Sequence, residues 1–194
     1  RADHPMLLDA EALLLSSETG NACALVDDSL PPRSVLLEAV YVLECVAAKG
    51  LHIERFLPPL PLSSVVDTRL SLRSDFLPSA RAVRAAGDRT LDLSKHRKIL
   101  AALLPPMLEK TQADAETQGR ERIELALGQA EALLDGEIDR LQRLAKVNPA
   151  VREEEISGLQ DERAALLAAL PQARPRLDAL RLIVSPDFMA LRSQ

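Results

Sequence analysis

The chain has very few aromatic residues: they make up 2% of its 194 residues, and tryptophan is absent. A hydrophobic core must therefore be built mainly from leucine, valine, isoleucine and alanine. Hydrophobic residues nevertheless account for 47% of the sequence. The chain is thus large and apolar enough for one folded domain, or for two small lobes that share a core, and disorder of the whole is excluded.

The chain also lacks a cysteine framework and an excess of positive charge. Two cysteines, Cys23 and Cys45, are too few for a disulfide scaffold, and their apolar surroundings predict buried, reduced thiols. A net charge of -5 argues against a general nucleic-acid-binding surface, because phosphate contacts need clustered lysine and arginine. With no run of roughly 18 apolar residues and no N-terminal targeting pattern, we predict a soluble, cytoplasmic protein without a membrane partner.

No recognisable catalytic motif is present. The chain has no glycine-rich phosphate-binding loop followed by lysine and serine or threonine. Its histidines, His4, His52 and His96, are scattered without metal-ligand spacing. Asp27 and Asp28 adjoin a proline pair, which is typical of a solvated loop. We therefore predict no catalytic, cofactor-binding or metal site in this chain.

The first part of the chain alternates between apolar and polar residues, as strands with one buried face do. Residues 35–46 give the strongest such pattern, and Gly50 supplies a turn before residues 51–57. These two segments predict an antiparallel hairpin. Residues 66–72 predict a third strand, and residues 22–26 a weaker fourth.

The apolar period changes to about 3.6 residues after position 94, which predicts helices. Pro105 and Pro106 are expected to end or kink the first helix and to start the next. The second helix carries a coiled-coil-like seam, in which apolar residues recur at steps of four and three. The seam residues are Ile123, Leu127, Ala130, Leu134, Ile138, Leu141 and Ala145.

After a short break, another long helix follows the helix that carries the seam. Asn148 is expected to cap it, with Pro149 at its first position and the acidic residues 153–155 near its positive start. Because the break is short, the two helices are predicted to form an antiparallel hairpin, with Pro171 ending the second. The apolar stripe of this helix consists of Ile156, Leu159, Leu166, Leu167 and Leu170.

Both ends of the chain carry a further element. Pro5 to Gly20 has the spacing of a short amphipathic helix. In the tail, Leu180, Leu182 and Val184 alternate with Arg181 and Ser185, which predicts a strand returning to the sheet. A helical alternative stays open for residues 176–185, because Leu177, Leu180 and Val184 also recur at steps of three and four.

These elements predict an α+β fold: a mainly antiparallel sheet packed with helices, plus a long antiparallel helical hairpin. We expect a single module over residues 1–194. Its sheet-rich part covers residues 1–77 and 176–194, and its helical part covers residues 94–171.

The segment from Arg55 to Pro59 is the best candidate for contact with a partner. Pro58 and Pro59 keep the backbone extended and unpaired, Phe56 is one of three phenylalanines, and Arg55 can bind a carboxylate through its planar fork. The alternative is structural: Phe56 fills the local core while the prolines end an edge strand.

A basic cluster of Lys95, Arg97 and Lys98 is the second candidate. It lies near a predicted helix start, where positive charge opposes the helix dipole, so helix stability does not explain it. A contact with a partner or a phosphate would explain it, and a solvated helix face is the alternative.

Several segments together resemble the C-terminal region of the bacterial RapA family of RNA polymerase-associated proteins, large ATPases of the SNF remodelling type. The resemblance runs along most of the chain, and no single motif carries it alone. The matching segments are His4-Pro5, Leu37-Glu38, Tyr41-Val42, Arg55-Phe56-Leu57-Pro58-Pro59, Val147-Asn148-Pro149, Glu153-Glu154-Glu155 and the tail from Arg176 to Val184.

The resemblance implies a non-catalytic C-terminal module of a transcription regulator. Members of the family bind bacterial RNA polymerase and use ATP hydrolysis to help recycle it. ATP and magnesium would belong to an ATPase region that is absent here. The implied partners are RNA polymerase and the ATPase lobes of the parent chain, with DNA bound through the parent, and a monomer is expected. A free-standing coiled-coil adaptor is the alternative, and a small hydrolase with an unrecognised site is a third.

Overall fold

The structure, a computed structural model, describes residues 21–48, 50–78 and 93–190. Within these ranges the fold is mixed α/β, with four strands in one sheet and three helices. The strands are β1 (Asn21–Val26), β2 (Val35–Glu44), β3 (Pro61–Asp67) and β4 (Arg174–Val184), and the helices are α1 (Arg97–Ala145), α2 (Glu153–Ala169) and α3 (Pro186–Ala190). The amphipathic helix predicted for the N-terminus lies outside the described residues.

The strand order in the sheet is β1-β4-β2-β3. Strands β1 and β4 run parallel, with Asn21 beside Ala179 and Val26 beside Val184. The sheet is therefore mixed rather than purely antiparallel. The cause is the tail, because β4 enters between the first two strands of the sequence instead of extending an antiparallel hairpin.

The tail strand predicted from alternation is confirmed, and the helical alternative for this segment is wrong. Strand β4 lies between β1 and β2, so it has neighbours on both sides. Its last residues, Leu182, Ile183 and Val184, are all buried. The run is apolar on both faces because both faces of a central strand are covered.

The hairpin predicted from residues 35–46 and 51–57 is wrong. Strand β2 pairs with β4 and β3, and the second segment forms a 3₁₀ turn at Ile53–Arg55 instead. His52 enters this turn with a left-handed backbone (φ 46°), which ends an extended conformation. Phe56 and Leu57 are adjacent and both buried, a pattern that a strand with one buried face does not show.

The strand predicted at residues 66–72 is displaced towards the N-terminus. Strand β3 starts at Pro61 and ends at Asp67, whose Oδ1 accepts hydrogen bonds from the backbone N–H of Arg69 and Ser71 at 2.9 and 3.0 Å. This aspartate-centred turn reverses the chain, with Leu70 at φ 62°. Beyond the turn, Leu72 pairs with β3 only through an isolated bridge.

The described residues divide into two compact units. Unit 1 comprises residues 21–41, 63–78, 93–115 and 177–190. Unit 2 comprises residues 42–48, 50–62 and 116–176. The division into a sheet-rich and a helical part that the sequence suggests stays a prediction.

In unit 1 the sheet is buried on both faces, since successive residues of a strand belong to different clusters. One cluster contains Leu25, Leu36, Val65 and Ile183, with Leu30 and Phe76 against it. The first half of α1 covers the other side through two clusters, which contain Val35, Leu100, Leu182, Val184 and Phe188, and Leu37, Val66 and Met107. The hydroxyls of Tyr41 and Thr111 bond at 3.0 Å within this interior.

The helix end predicted at Pro105 and Pro106 is wrong, because both prolines lie inside α1, whereas the kink given as the alternative stays a prediction. Each proline lacks the N–H that would bond the carbonyl four residues earlier, so helix propensity disfavours this arrangement. The buried side chains of Leu100 and Met107, one before and one after the pair, pack on the sheet. This packing explains why the helix continues.

Unit 2 contains the second part of α1, from Glu116 onward, and the whole of α2. The Arg163 guanidinium of α2 binds Asp135 at 2.6 Å and Glu131 at 2.9 Å, both on α1. The middle of the predicted α1 seam is buried, at Ala130, Leu134 and Ile138, and Ala126, which lies outside the predicted seam, is buried as well. The antiparallel hairpin itself stays a prediction.

The start of α2 differs from the prediction. The helix begins at Glu153, and the three acidic residues 153–155 do form its first turn. Asn148 and Pro149 lie in the preceding turn instead. There the Asn148 side-chain oxygen accepts the backbone N–H of Ala150 at 3.0 Å, so it stabilises a local turn rather than a helix start.

Candidate partner-binding site

The segment from His52 to Pro59 forms a compact turn in unit 2. The backbone N–H of Phe56 and that of Leu57 both bond the carbonyl of Ile53, at 3.0 and 2.9 Å. The turn directs the side chains of Phe56 and Leu57 into the interior, while Pro58 and Pro59 are exposed. The structure therefore divides the predicted segment into buried and accessible residues.

Arg122 of α1 fixes the end of this segment. Its two terminal nitrogens donate to the carbonyls of Leu60 and Pro61 at 2.9 and 3.1 Å. The planar guanidinium fork suits two neighbouring oxygens, and lysine could not reproduce that geometry. The segment is thus held at its start by the 3₁₀ turn and at its end by a helix side chain.

Arg55 lies over the ring of Phe56, with the guanidinium carbon 5.4 Å from the ring centroid. A cation over an aromatic face is attracted by the ring electrons. The arginine side of this pair is exposed, whereas Phe56 is only 9% exposed. The result is a positive charge held in place by a ring that is anchored in the interior.

The neighbouring carboxylate of Glu54 is occupied by another residue. Its Oε1 lies 3.2 Å from Nδ1 of His52. The pKa of Glu54 is lowered by hydrogen bonding from its own backbone N–H and from the His52 side chain. Glu54 therefore stays ionised but is engaged by His52 rather than by Arg55.

Arg55 and Phe56 border an open hollow on the surface of unit 2, with a volume of about 560 Å³. Its other lining residues are Gln129, Ala132 and Leu133 of α1. Leu133 is 45% exposed, and Leu125, two helical turns earlier, is 67% exposed. The hollow thus combines an exposed aliphatic surface with one positive charge.

The basic cluster belongs to unit 1, so the structure assigns the two candidate contacts to different units. Lys95 is exposed in the 3₁₀ turn Ser94–His96, Arg97 is the first residue of α1, and Lys98 is exposed in its first turn. His96 is instead buried, with its ring 5.0 Å from that of Phe188. His96 is therefore an interior residue.

A second hollow in unit 2 has no counterpart in the sequence analysis. It has a volume of about 580 Å³, and Gly119 lies in its wall. A Cβ at Gly119 would lie 3.0 Å from Cδ2 of Leu43, so glycine permits this close approach. The seam residues Ile123 and Leu127 also line it. A glycine inside a predicted helix, where it weakens helix formation, is the one signal in the sequence that points to this hollow.

The two thiols differ from each other. The prediction that both are buried is wrong for Cys23, which is exposed on β1. Cys45 is partly buried and its Sγ donates to the carbonyl of Ala169 at 3.2 Å. Burial raises the pKa of the Cys45 thiol, which disfavours the thiolate.

The described ranges contain neither a cluster of metal-binding side chains nor a helix able to cross a membrane. Residues 21–48, 50–78 and 93–190 contain no group of three or more histidine, cysteine, aspartate or glutamate side chains placed to hold a metal ion. Among the helices of those same ranges, none combines the length and the apolar character that crossing a bilayer requires.

Comparison with known proteins adds a family relationship. The family model described as "RNA polymerase recycling family C-terminal" matches residues 1–185. The chain is 36% identical over 187 residues to the RNA polymerase-associated protein RapA of Pectobacterium atrosepticum. It is similar at the same identity to RapA of Pectobacterium carotovorum and of Yersinia enterocolitica. Each of these matches covers 94% of this chain and 19% of the relative, so the chain spans about a fifth of the length of these relatives.

Proposed function

Because the chain belongs to the RNA polymerase recycling family and matches its C-terminal region, we propose that it is an accessory module of a protein that associates with bacterial RNA polymerase. The observation that carries this proposal is the family match over residues 1–185, together with 36% identity to proteins named for association with the polymerase. The module's role would be to bind, not to catalyse.

The finer parts of the proposal concern the parent protein. The parent would be a cytoplasmic ATPase that requires magnesium and promotes recycling of the polymerase, as the resemblance of the sequence implies. Support for a non-catalytic module comes from the sequence, which has no phosphate-binding loop. Nucleotide chemistry would then belong to the remaining four-fifths of the parent chain.

The partner of this module is proposed to be a protein surface, either on the polymerase or on the ATPase lobes of the parent. The net charge of -5 supports a protein over nucleic acid as the direct contact, and DNA would be bound elsewhere in the parent. A contact made by Lys95, Arg97 and Lys98 remains part of the proposal, supported by the exposure of both lysines.

The module is also proposed to act as a monomer with α1 and α2 paired as an antiparallel hairpin. Support comes from Arg163, which joins α2 to two carboxylates of α1. The burial of Ala130, Leu134 and Ile138 further supports it, because a seam already covered within the chain does not require a second copy. This favours the accessory module over the free-standing coiled-coil adaptor.

A pull-down tests the proposed function. The 194-residue chain is immobilised and incubated separately with core RNA polymerase and with the isolated ATPase region of a RapA relative. Retention of at least one of them, resistant to a wash at physiological salt, is the expected result. An unrelated acidic protein of similar size serves as the control. Retention of neither partner above that control contradicts the proposal.

A further inference from the structure

We propose that the hollow bordered by Arg55, Phe56 and Leu133 binds a segment of a protein partner that carries a carboxylate beside an aliphatic side chain. This inference rests on the proposed function and adds the chemistry of the contact. The carboxylate would pair with Arg55, and the aliphatic side chain would pack on Leu133 and Ala132.

The charge of the hollow selects the carboxylate. Among its lining residues Arg55 is the one charged side chain, and none of the others is acidic. In the described part of the chain no carboxylate forms an ion pair with Arg55. The adjacent carboxylate of Glu54 pairs with His52 instead. In a protein of net charge -5, a cation without a carboxylate partner is an available binding group. Its guanidinium can donate two parallel hydrogen bonds to one carboxylate.

The apolar part of the hollow selects the aliphatic side chain. Leu133 is 45% exposed beside Ala132 and Phe56, and Leu125 adds further exposed apolar area on the same helix. Covering such area removes it from water, which favours association. The mixture of one cation and several aliphatic groups matches a peptide with acidic and leucine-like residues.

The same features disfavour RNA as the occupant. Base recognition on single strands relies on exposed aromatic faces, but the accessible face of Phe56 is covered by Arg55. Phe56 is also the single aromatic residue in the lining. One arginine supplies little of the positive charge that a phosphate backbone requires.

The hollow is preorganised, which reduces the cost of binding. Arg122 holds Leu60 and Pro61, and the 3₁₀ turn holds Arg55 and Phe56. A partner segment therefore does not have to order this loop when it binds.

Two variants and two matched controls test the contact with core RNA polymerase. Arg55→Glu reverses the charge, and Leu133→Asp removes the aliphatic surface. Arg69→Glu and Leu77→Asp make the same changes at exposed positions of unit 1. Each site variant is expected to weaken binding at least tenfold, whereas the affinity of each control is expected to stay within about twofold of that of the unsubstituted chain. Circular dichroism melting is used to check that each variant is folded.

A peptide probe separates this inference from the proposed function. A peptide of roughly ten residues that alternates aspartate and leucine is added to the isotope-labelled chain, and lysine–leucine and oligouridine probes are added in parallel. The aspartate peptide alone is expected to shift the methyl signals of Ala132 and Leu133 and the ring signals of Phe56. Equal shifts with the lysine peptide, shifts only with oligouridine, or no shifts at these residues overturn the inference, whether or not the polymerase binds. If the unsubstituted 194-residue chain binds polymerase and both site variants bind it equally well, the proposed contact is wrong while the proposed function stands.

Discussion

Removing the tail from Arg176 onward is expected to unfold unit 1. The truncation deletes most of β4, the strand that lies between β1 and β2. Strand β1 then loses its neighbour along the six register pairs that join it to β4. The sheet would be divided, rather than merely shortened at an edge.

The magnitude follows from burial. Leu182 is 7% exposed, and Ile183 and Val184 are fully buried at 0%. Returning each to water costs about 1.5 to 3 kcal/mol. The combined loss, roughly 5 kcal/mol or more, reaches the range of total stability of a typical domain, about 5 to 15 kcal/mol. Phe188, also buried, would add to the cost.

The assay is urea unfolding followed by far-ultraviolet circular dichroism, with two point variants as a finer test. Leu182→Asp places a carboxylate in the cluster beneath α1 and is expected to unfold the chain or lower its midpoint greatly. Leu177→Asp makes the same change at a more exposed position of the same strand and is expected to be mild. The reasoning would be refuted if the truncated chain had the same spectrum and urea midpoint as the full 194-residue chain. It would also be refuted if the two point variants lowered the midpoint equally.

Three smaller perturbations test individual features by chemical unfolding. Tyr41→Phe removes the buried hydroxyl bond to α1 and is expected to lower the free energy of unfolding by about 0.5 to 1.5 kcal/mol; no change would argue against that bond. Gly128→Ala and Gly136→Ala, where nothing lies within 4 Å of an added Cβ, are each expected to stabilise the chain by about 1 kcal/mol, and a lower midpoint would contradict this. The Ser185 hydroxyl and a loop N–H hold the pKa of Asp187 below its ordinary value, so its stabilisation is complete above about pH 4 and is lost as the pH falls through the folded pKa; Asp187→Asn should flatten the acid dependence, and an unchanged profile would show that Asp187 does not contribute to it.

The tail strand and the helical second half were predictable because their apolar periods are strong and local. Leu180 and Leu182 lie on either side of Arg181, and the α1 seam keeps its spacing over several turns. The parallel pairing of β1 with β4 was not predictable, because it joins segments more than a hundred residues apart and depends on tertiary packing. Nothing in either segment alone specifies its neighbour.

Local rules failed where packing or a single side chain overrode them. Pro105 should end a helix by propensity, yet the packing of buried Leu100 and Met107 on the sheet keeps α1 continuous. Asp67 ends β3 by accepting two backbone bonds, which the alternation of residues 66–72 does not reveal. Asn148 has the chemistry of a helix cap but forms a turn instead.

The candidate site was partly visible in the sequence. Phenylalanine is rare in the chain, so Phe56 and the proline pair after it identified the segment. The structure adds that Arg55 stacks on Phe56. The α1 side of the hollow was not predictable, because Leu133 lies next to a residue of the seam and was assigned no role. Only the folded chain brings positions 55 and 133 to one surface.

The most direct measurement is a titration of the fluorescently labelled 194-residue chain with bacterial core RNA polymerase, followed by fluorescence anisotropy. The account predicts a saturable rise in anisotropy without added ATP, reversed by excess unlabelled chain and shifted to higher polymerase concentration by Arg55→Glu. An anisotropy that does not rise above that of an unrelated acidic protein, at concentrations up to about 10 μM of the polymerase and, in a parallel titration, of the isolated ATPase region, would contradict the account, since binding that weak supplies less than about 7 kcal/mol.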